Sequence, residues 1–197
     1  ISYALKEGIP EDQIARMAKE YKPGLIVMGS RGKGEKQSDL IGGVVKRLLD
    51  KTRVPLLVIP EQAAYEPGKE VRRVVYATDF DDTDYLALRR LFQILSGFDF
   101  RLHCLHLSRE SDTRLHEARM EAFRQYVDKI HTKAQMQCEI LRGEDNLKQM
   151  DEYTSAHQID LIALTKRKRN IISRWFNPGL TRRLLIHSRI PLLIFRA

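Results

Sequence analysis

The chain has 197 residues, enough for one large domain or two small ones, and its 43% hydrophobic and 30% charged residues mark a folded protein rather than a disordered one. No apolar run approaches the roughly 18 residues that cross a bilayer. The opening ISYALKEGIPEDQI has no basic region ahead of an apolar core, so no signal peptide is expected. The formal net charge is +8, with a basic excess in Lys166, Arg167, Lys168 and Arg169 continued by Arg174, Arg182, Arg183 and Arg189. Cys104 and Cys138 lie in apolar-rich stretches without CxxC spacing, and are expected to be reduced, inert core thiols. These features predict a cytoplasmic protein with no membrane partner.

In chain order, residues 9–21 place Ile14, Met17 and Ala18 on one helical face. Residues 24–28 form a short apolar run stopped by Gly29, as a buried parallel strand would be. A glycine-rich polar loop follows, then a helix over 43–50 and a strand over 55–59 closed by Pro60. Residues 61–70 (EQAAYEPGKE) are polar, carry a Pro-Gly pair and read as a linker. A strand over 71–77 leads into Thr78-Asp79-Phe80-Asp81-Asp82, which supplies acids and caps for a helix running to Gly97. Beyond it come a strand over 101–107, a helix over 115–133, a strand over 137–141, a helix over 146–156 and a strand over 159–164. A helix over 181–187 and a strand over 191–195 end the chain. Alternating helices and apolar strands predict a parallel doubly wound sheet.

An internal repeat organises these elements. Gly24-Leu25-Ile26-Val27-Met28 matches Asp160-Leu161-Ile162-Ala163-Leu164, and Lys46-Arg47-Leu48-Leu49 matches Arg182-Arg183-Leu184-Leu185. Thr52-Arg53-Val54-Pro55-Leu56-Leu57 matches Ser188-Arg189-Ile190-Pro191-Leu192-Leu193. All three share one offset of 136 residues, so the two parts read as homologous units.

The run IVMGSRGKG followed by LIGGVVKRLLDKTRVPLLVIP resembles the C-terminal half of a universal stress protein domain, and RRVVYATDF through IPLLIF resembles a complete one. The resemblance implies an α/β fold of the adenine-nucleotide alpha-hydrolase-like type, with a parallel five-stranded sheet in the order 3-2-1-4-5 and helices on both faces. It divides the chain into residues 1–60 (strands 3, 4 and 5 of a first domain), a linker over 61–70, and a complete second domain over 71–197. The strands from Pro55 to Ile59 and from Pro191 to Phe195 are its expected meeting edges, joined antiparallel, and the expected route of self-association. On this template strand 4 of the first domain lacks a neighbour, and such an edge is costly. The chain also starts without Met, and is expected to be a piece of a longer tandem protein.

Between strand and helix the spacing is Gly29-x2-Gly32-x9-Gly42. Glycines let backbone N–H groups approach an anion, and a helix start offers unsatisfied donors. By resemblance Met28, Gly29, Gly32, Gly42, Gly43 and Val44 line ATP, with Arg31 and Lys33 as phosphate counter-charges. Gly43 stands where the family carries Ser or Thr. In the second unit Asp79 matches the acid beside the adenosine, yet Thr165, Lys168 and Pro178 replace the glycines, so ATP is expected in the first domain only. Asp79 is then a helix cap or turn acid, and Asp81, Asp82 and Asp84 a helix-start cluster.

The basic stretch is expected to be a solvated face rather than a nucleic-acid site, because no recognised module surrounds Trp175 and Phe176. His103 and His106 lie three apart on one strand, facing opposite ways, and form no metal pair. No Ser/His/Asp or Cys/His set can be assembled, so a dedicated enzyme is not expected; the resemblance implies an adenine-nucleotide-responsive stress module acting through protein partners. A ligand-free structural or interaction module is the alternative, and a slow ATP hydrolase is a third reading.

Overall fold

A computed structural model describes residues 1–30, 43–63, 68–108, 113–130, 135–142, 146–166 and 190–197. Its elements are α1 (Pro10–Tyr21), β1 (Ile26–Gly29), α2 (Gly43–Lys51), β2 (Leu56–Ile59), β3 (Arg73–Ala77), α3 (Asp82–Ile94), β4 (Arg101–Ser108), α4 (Thr113–Ile130), β5 (Gln135–Arg142), α5 (Asn146–Ala156), β6 (Leu161–Lys166) and β7 (Leu192–Arg196). The helix expected over 181–187 lies outside the described residues.

The strands form one sheet of seven in the order β1-β2-β7-β6-β3-β4-β5, not the five expected. All neighbours are parallel except β2 and β7, which run antiparallel with Leu56 opposite Ile194, Leu57 opposite Leu193 and Val58 opposite Leu192. That pairing is why the count is seven: the two strands of the first 60 residues add to the edge that β7 would otherwise leave open. Among the described residues of the first 60, β1 and β2 form and the third expected strand does not. Ile1, Tyr3 and Leu5 are exposed, and a strand with no neighbour to pair against has no stability of its own.

Strand alternation splits the core between the two faces of the sheet. Val75 and Ala77 of β3 and Leu192 and Ile194 of β7 pack with Val45, Leu48 and Leu49 of α2 and Met150 and Tyr153 of α5. Val74 and Tyr76 of β3 and Leu193 and Phe195 of β7 face the other way, against Leu88 and Leu91 of α3 and Phe123 and Val127 of α4. Helix α1 has no place on the sheet's centre and is held to α2 by two ion pairs, Arg47–Glu11 and Lys51–Asp12. The Arg47 guanidinium holds the Glu11 carboxyl below its ordinary pKa by hydrogen bonding to it.

Leu56 is fully buried beside β7 whereas Val27, on edge strand β1, is 60% exposed. Leu56→Ala should therefore cost about 2–5 kcal/mol in urea unfolding, and Val27→Ala no more than about 0.5 kcal/mol. Equal losses would contradict the pairing of β2 on β7.

Candidate functional site

Strand β1 delivers Met28 and Gly29 to the carboxyl end of a parallel pair. Met28 is half-buried against the core and Gly29 is exposed. Ser30, next in the chain, is buried, and its N–H donates to the Ile59 carbonyl at 2.8 Å, so the strand is held to its last residue. The chain returns at Gly43 and Val44, both half-buried, in the first turn of α2. Arg31, Gly32, Lys33 and Gly42, the rest of the expected ATP-lining set, lie outside the described residues. A Cβ on Gly43 would come within 2.8 Å of Arg47 Nη1, the far end of a flexible side chain. Arg47 is already turned toward Glu11, so the missing hydroxyl at position 43 leaves room that the guanidinium uses.

The other end of α2 is fixed by cations from later in the chain. Arg196 Nη1 donates to the Asp50 carbonyl at 2.7 Å and to the Thr52 carbonyl at 3.3 Å. Lys166 pairs with the Asp50 carboxylate at 2.5 Å. Arg196 thus satisfies carbonyls at the helix C-terminus, and both cations sit at the negative end of its dipole. Lys166 is the first of the basic stretch; residues 167–189, with Lys168, Trp175, Phe176 and Pro178, lie outside the described residues. A separate groove of about 840 Å³ opens where the chain enters β1 and β2, lined by Gly24, Leu25, Arg53, Val54 and Pro55 and closed by Arg90 and Ile94 of α3. It belongs to the opposite end of β1 from Gly29.

The carboxyl end of β3 is built differently. Asp84, buried in the first turn of α3, accepts from Tyr76 Oη at 3.0 Å, Thr78 Oγ1 at 2.9 Å and the N–H groups of Asp79 and Asp81 at 3.1 and 3.3 Å. Since Tyr76 donates to Asp84, Thr165 must donate its hydroxyl to Tyr76 Oη, 2.7 Å away. The helix cap is Asp81, in a reciprocal capping box with Asp84. Of the two roles expected of Asp79, helix cap or turn acid, it takes the second. Its carboxylate lies 3.5 Å from His106 Nδ1, which donates to the Thr78 carbonyl at 2.8 Å. Phe80, at φ 59°, lays its ring against His106 and Phe123. The sequence signals the capping box through Asp-x-x-Asp, but carries no local sign of the Tyr76–Thr165 link, which spans β3 and β6.

His103 and His106 do face opposite sides of the sheet. His103 meets Tyr153 Oη at 2.9 Å, and that hydroxyl donates to Glu139 Oε1 at 3.1 Å. The imidazole must then donate from Nδ1, which leaves the buried Nε2 as a lone pair without a partner among the described residues. Burial holds the His103 pKa down to about 4, with His157 and Arg101 adding to the effect. Burial also lowers His106, against the opposing pull of the Thr78 carbonyl and Asp79.

Both histidines are easier to protonate in the unfolded chain, where the pKa is about 6.5. A depressed folded pKa means that the unfolded state binds the extra proton first. Their contribution is complete above pH 6.5 and is lost as the pH falls below that value, for His103 through about 4. Stability measured by urea unfolding should fall over this window, and His103→Leu should flatten the slope. Identical slopes would remove His103 from the account.

Comparison with known proteins gives these features a family. Two universal stress proteins of Methanocaldococcus jannaschii are 38% identical over 53 residues and 35% identical over 52, matching 27% and 26% of this chain. The matched segments span 31% and 32% of those relatives, less than a third of each. Among solved structures, a universal stress protein from Archaeoglobus fulgidus aligns over 95% of this chain and 65% of its own, with a TM-score of 0.70 at 17% identity. A functionally unknown protein from Pseudomonas aeruginosa aligns over 97% and 69%, with a TM-score of 0.62 at 13% identity. At those identities the likeness is one of fold. The model of the universal stress protein family matches residues 2–60 and again 70–196, and the chain belongs to that family.

Proposed function

We propose that this chain is a nucleotide-responsive stress module rather than a dedicated enzyme, with an adenine nucleotide, ATP, held by the loop between β1 and α2. The observation that carries this reading is the strand-to-helix passage at Gly29 and Gly43. Gly29 stands at the carboxyl end of a parallel β1–β2 pair, the position at which open α/β sheets take ligands. Helix α2 contributes the N–H groups of its first turn, which have no partner within the helix. In this reading Met28, Gly29 and Val44 border the nucleotide, and Arg31 and Lys33 balance phosphate charge.

The same reading divides the chain into two related units, residues 1–60 and 71–197, joined by a linker over 61–70. Two features support it. The family model matches in two separate stretches. The register of β1 on β2, from Ile26 opposite Leu56 to Gly29 opposite Ile59, recurs in β6 on β7 from Ile162 opposite Leu192 to Thr165 opposite Phe195. The second unit then supplies the order 3-2-1-4-5 from β5, β4, β3, β6 and β7. Its loop position is the weaker candidate, since Thr165 replaces Gly29 and its hydroxyl is committed to Tyr76.

Calorimetric titration of the protein with ATP tests the proposal. Saturable binding is expected, weakened at least tenfold by Gly32→Val, which puts a branched side chain where a phosphate must approach. Folded protein that takes up no ATP, or binding indifferent to Gly32→Val, would overturn it and leave a ligand-free module that works through protein partners.

A further inference from the structure

Cys104 of β4 and Cys138 of β5 stand directly opposite each other in the parallel register of the two strands. Both are free thiols. Residues paired in register point to the same face of a sheet, and both of these pack with the cluster around Tyr76, Phe123 and Val127. Adjacent strands run about 4.8 Å apart, inside the Cα separation of about 4.4–6.8 Å that a disulfide spans. The closure needs side-chain rotation and a small approach of the strands, not a rearrangement of the fold.

The two sulfurs are not equivalent. Cys104 is 1% exposed, while Cys138 is only half-buried. The Cys104 thiol lies 3.5 Å from Met136 Sδ, two residues before Cys138 on the same face. Hydrogen bonding from Cys104 lowers the Cys138 pKa, and Arg124 of α4 adds to this against burial, Glu121 and Asp128. Burial, above all, raises that of Cys104. One thiol is reachable and disposed to ionise; the other waits behind it as a protonated partner.

We infer that Cys104 and Cys138 form a peroxide-responsive dithiol site, with Cys138 as the attacking thiol and Cys104 as the resolving one. The Cys138 thiolate attacks one oxygen of a hydroperoxide, the O–O bond breaks, and water or an alcohol leaves as Cys138 becomes a sulfenic acid. Cys104 then attacks that sulfur, the S–O bond breaks, and the hydroxyl departs as water with the Cys104 proton. Two thiols are oxidised by two electrons and one peroxide is reduced. A small-molecule dithiol reverses the change by exchange. The product is a cross-link on β5, at the edge of the sheet, whose only strand partner among the described residues is β4. Thiols expected to be inert core residues become a covalent fastening of the sheet's edge.

The test is hydrogen peroxide treatment of the folded chain, followed by alkylation and intact mass measurement without reductant. The expected product is a monomer about 2 Da lighter that takes no alkylating agent, and that regains two reactive thiols in dithiothreitol. In Cys104→Ser, dimedone should trap a sulfenic acid on Cys138. In Cys138→Ser, Cys104 should stay a thiol under the same treatment. Retention of two alkylatable thiols in the treated protein would overturn the proposal. So would a disulfide only between chains, or oxidation of Cys104 at an unchanged rate in Cys138→Ser.

Discussion

The antiparallel pairing of β2 with β7 is the contact on which the first 60 residues depend. Alone, β1 and β2 would be a two-stranded ribbon carrying two helices, too small to bury a core. Paired to β7, Leu56 and Val58 enter the same apolar layer as Leu192 and Ile194, while Leu57 packs on the opposite face with Leu193. The cations that follow reinforce one end of α2. Arg196 and Lys166 close on Asp50, and Arg90 of α3 donates to the Arg53 carbonyl just beyond the helix. Each brings positive charge to the negative end of a helix dipole. Fixing that end leaves the other, at Gly43, aimed toward the carboxyl end of β1.

The carboxyl ends of β1 and β6 show what a side chain at one position does. Gly29 and Thr165 hold the same place in registers that repeat at a constant offset. Gly29 offers only backbone and is exposed. Thr165 is buried, its hydroxyl donates to Tyr76, and Tyr76 donates to Asp84, the acid that also gathers Thr78, Asp79 and Asp81. A buried polar group with all its partners in place is expensive to disturb. The network that satisfies Thr165 stabilises the turn into α3 and consumes the polar groups a ligand would otherwise meet. Phe80 and His106 fill the adjacent space with rings. Rigidity at one mouth and open glycine backbone at the other are consistent with different uses for the two.

Most elements were legible because each rests on a local signal. The strands over 24–28, 55–59 and 191–195 are apolar runs bounded by Gly or Pro, and each forms within two residues of its expected limits. Helix α5 falls on residues 146–156 as its pattern predicts. The repeat at offset 136 was visible because it kept register through strand, loop and helix. Neither periodicity nor propensity states which edge a strand will join; the antiparallel meeting of residues 55–59 with 191–195 was implied by the family resemblance, and it forms as β2 on β7. Nor does an apolar start to the chain make a strand without a neighbour. Of the two roles open to Asp79, cap or turn acid, it takes the second: the geometry of the turn selects Asp81 and Asp84 as the reciprocal capping pair. Of the residues the resemblance assigns to the glycine loop, Met28 and Gly29 end β1 and Gly43 and Val44 begin α2.

The sheet's two edges meet the hazard of unpaired backbone in different ways. Strand β1 is four residues long, and short edges offer little template for another chain. Strand β5 is twice that length, with half-buried residues alternating with exposed ones over its first half. It is held by β4 along eight register pairs and, among the described residues, by no strand on its other side. An element tied on one side is the first to open in a local fluctuation. Opening would bring Cys138 and then Cys104 to solvent together, whereas closure places them opposite each other. The arrangement that makes β5 the least secured of the long strands is therefore also the one that sets two thiols in register. A covalent bond there would secure the element most in need of it, while leaving Gly29, Gly43 and the β2–β7 contact on the far side of the sheet untouched.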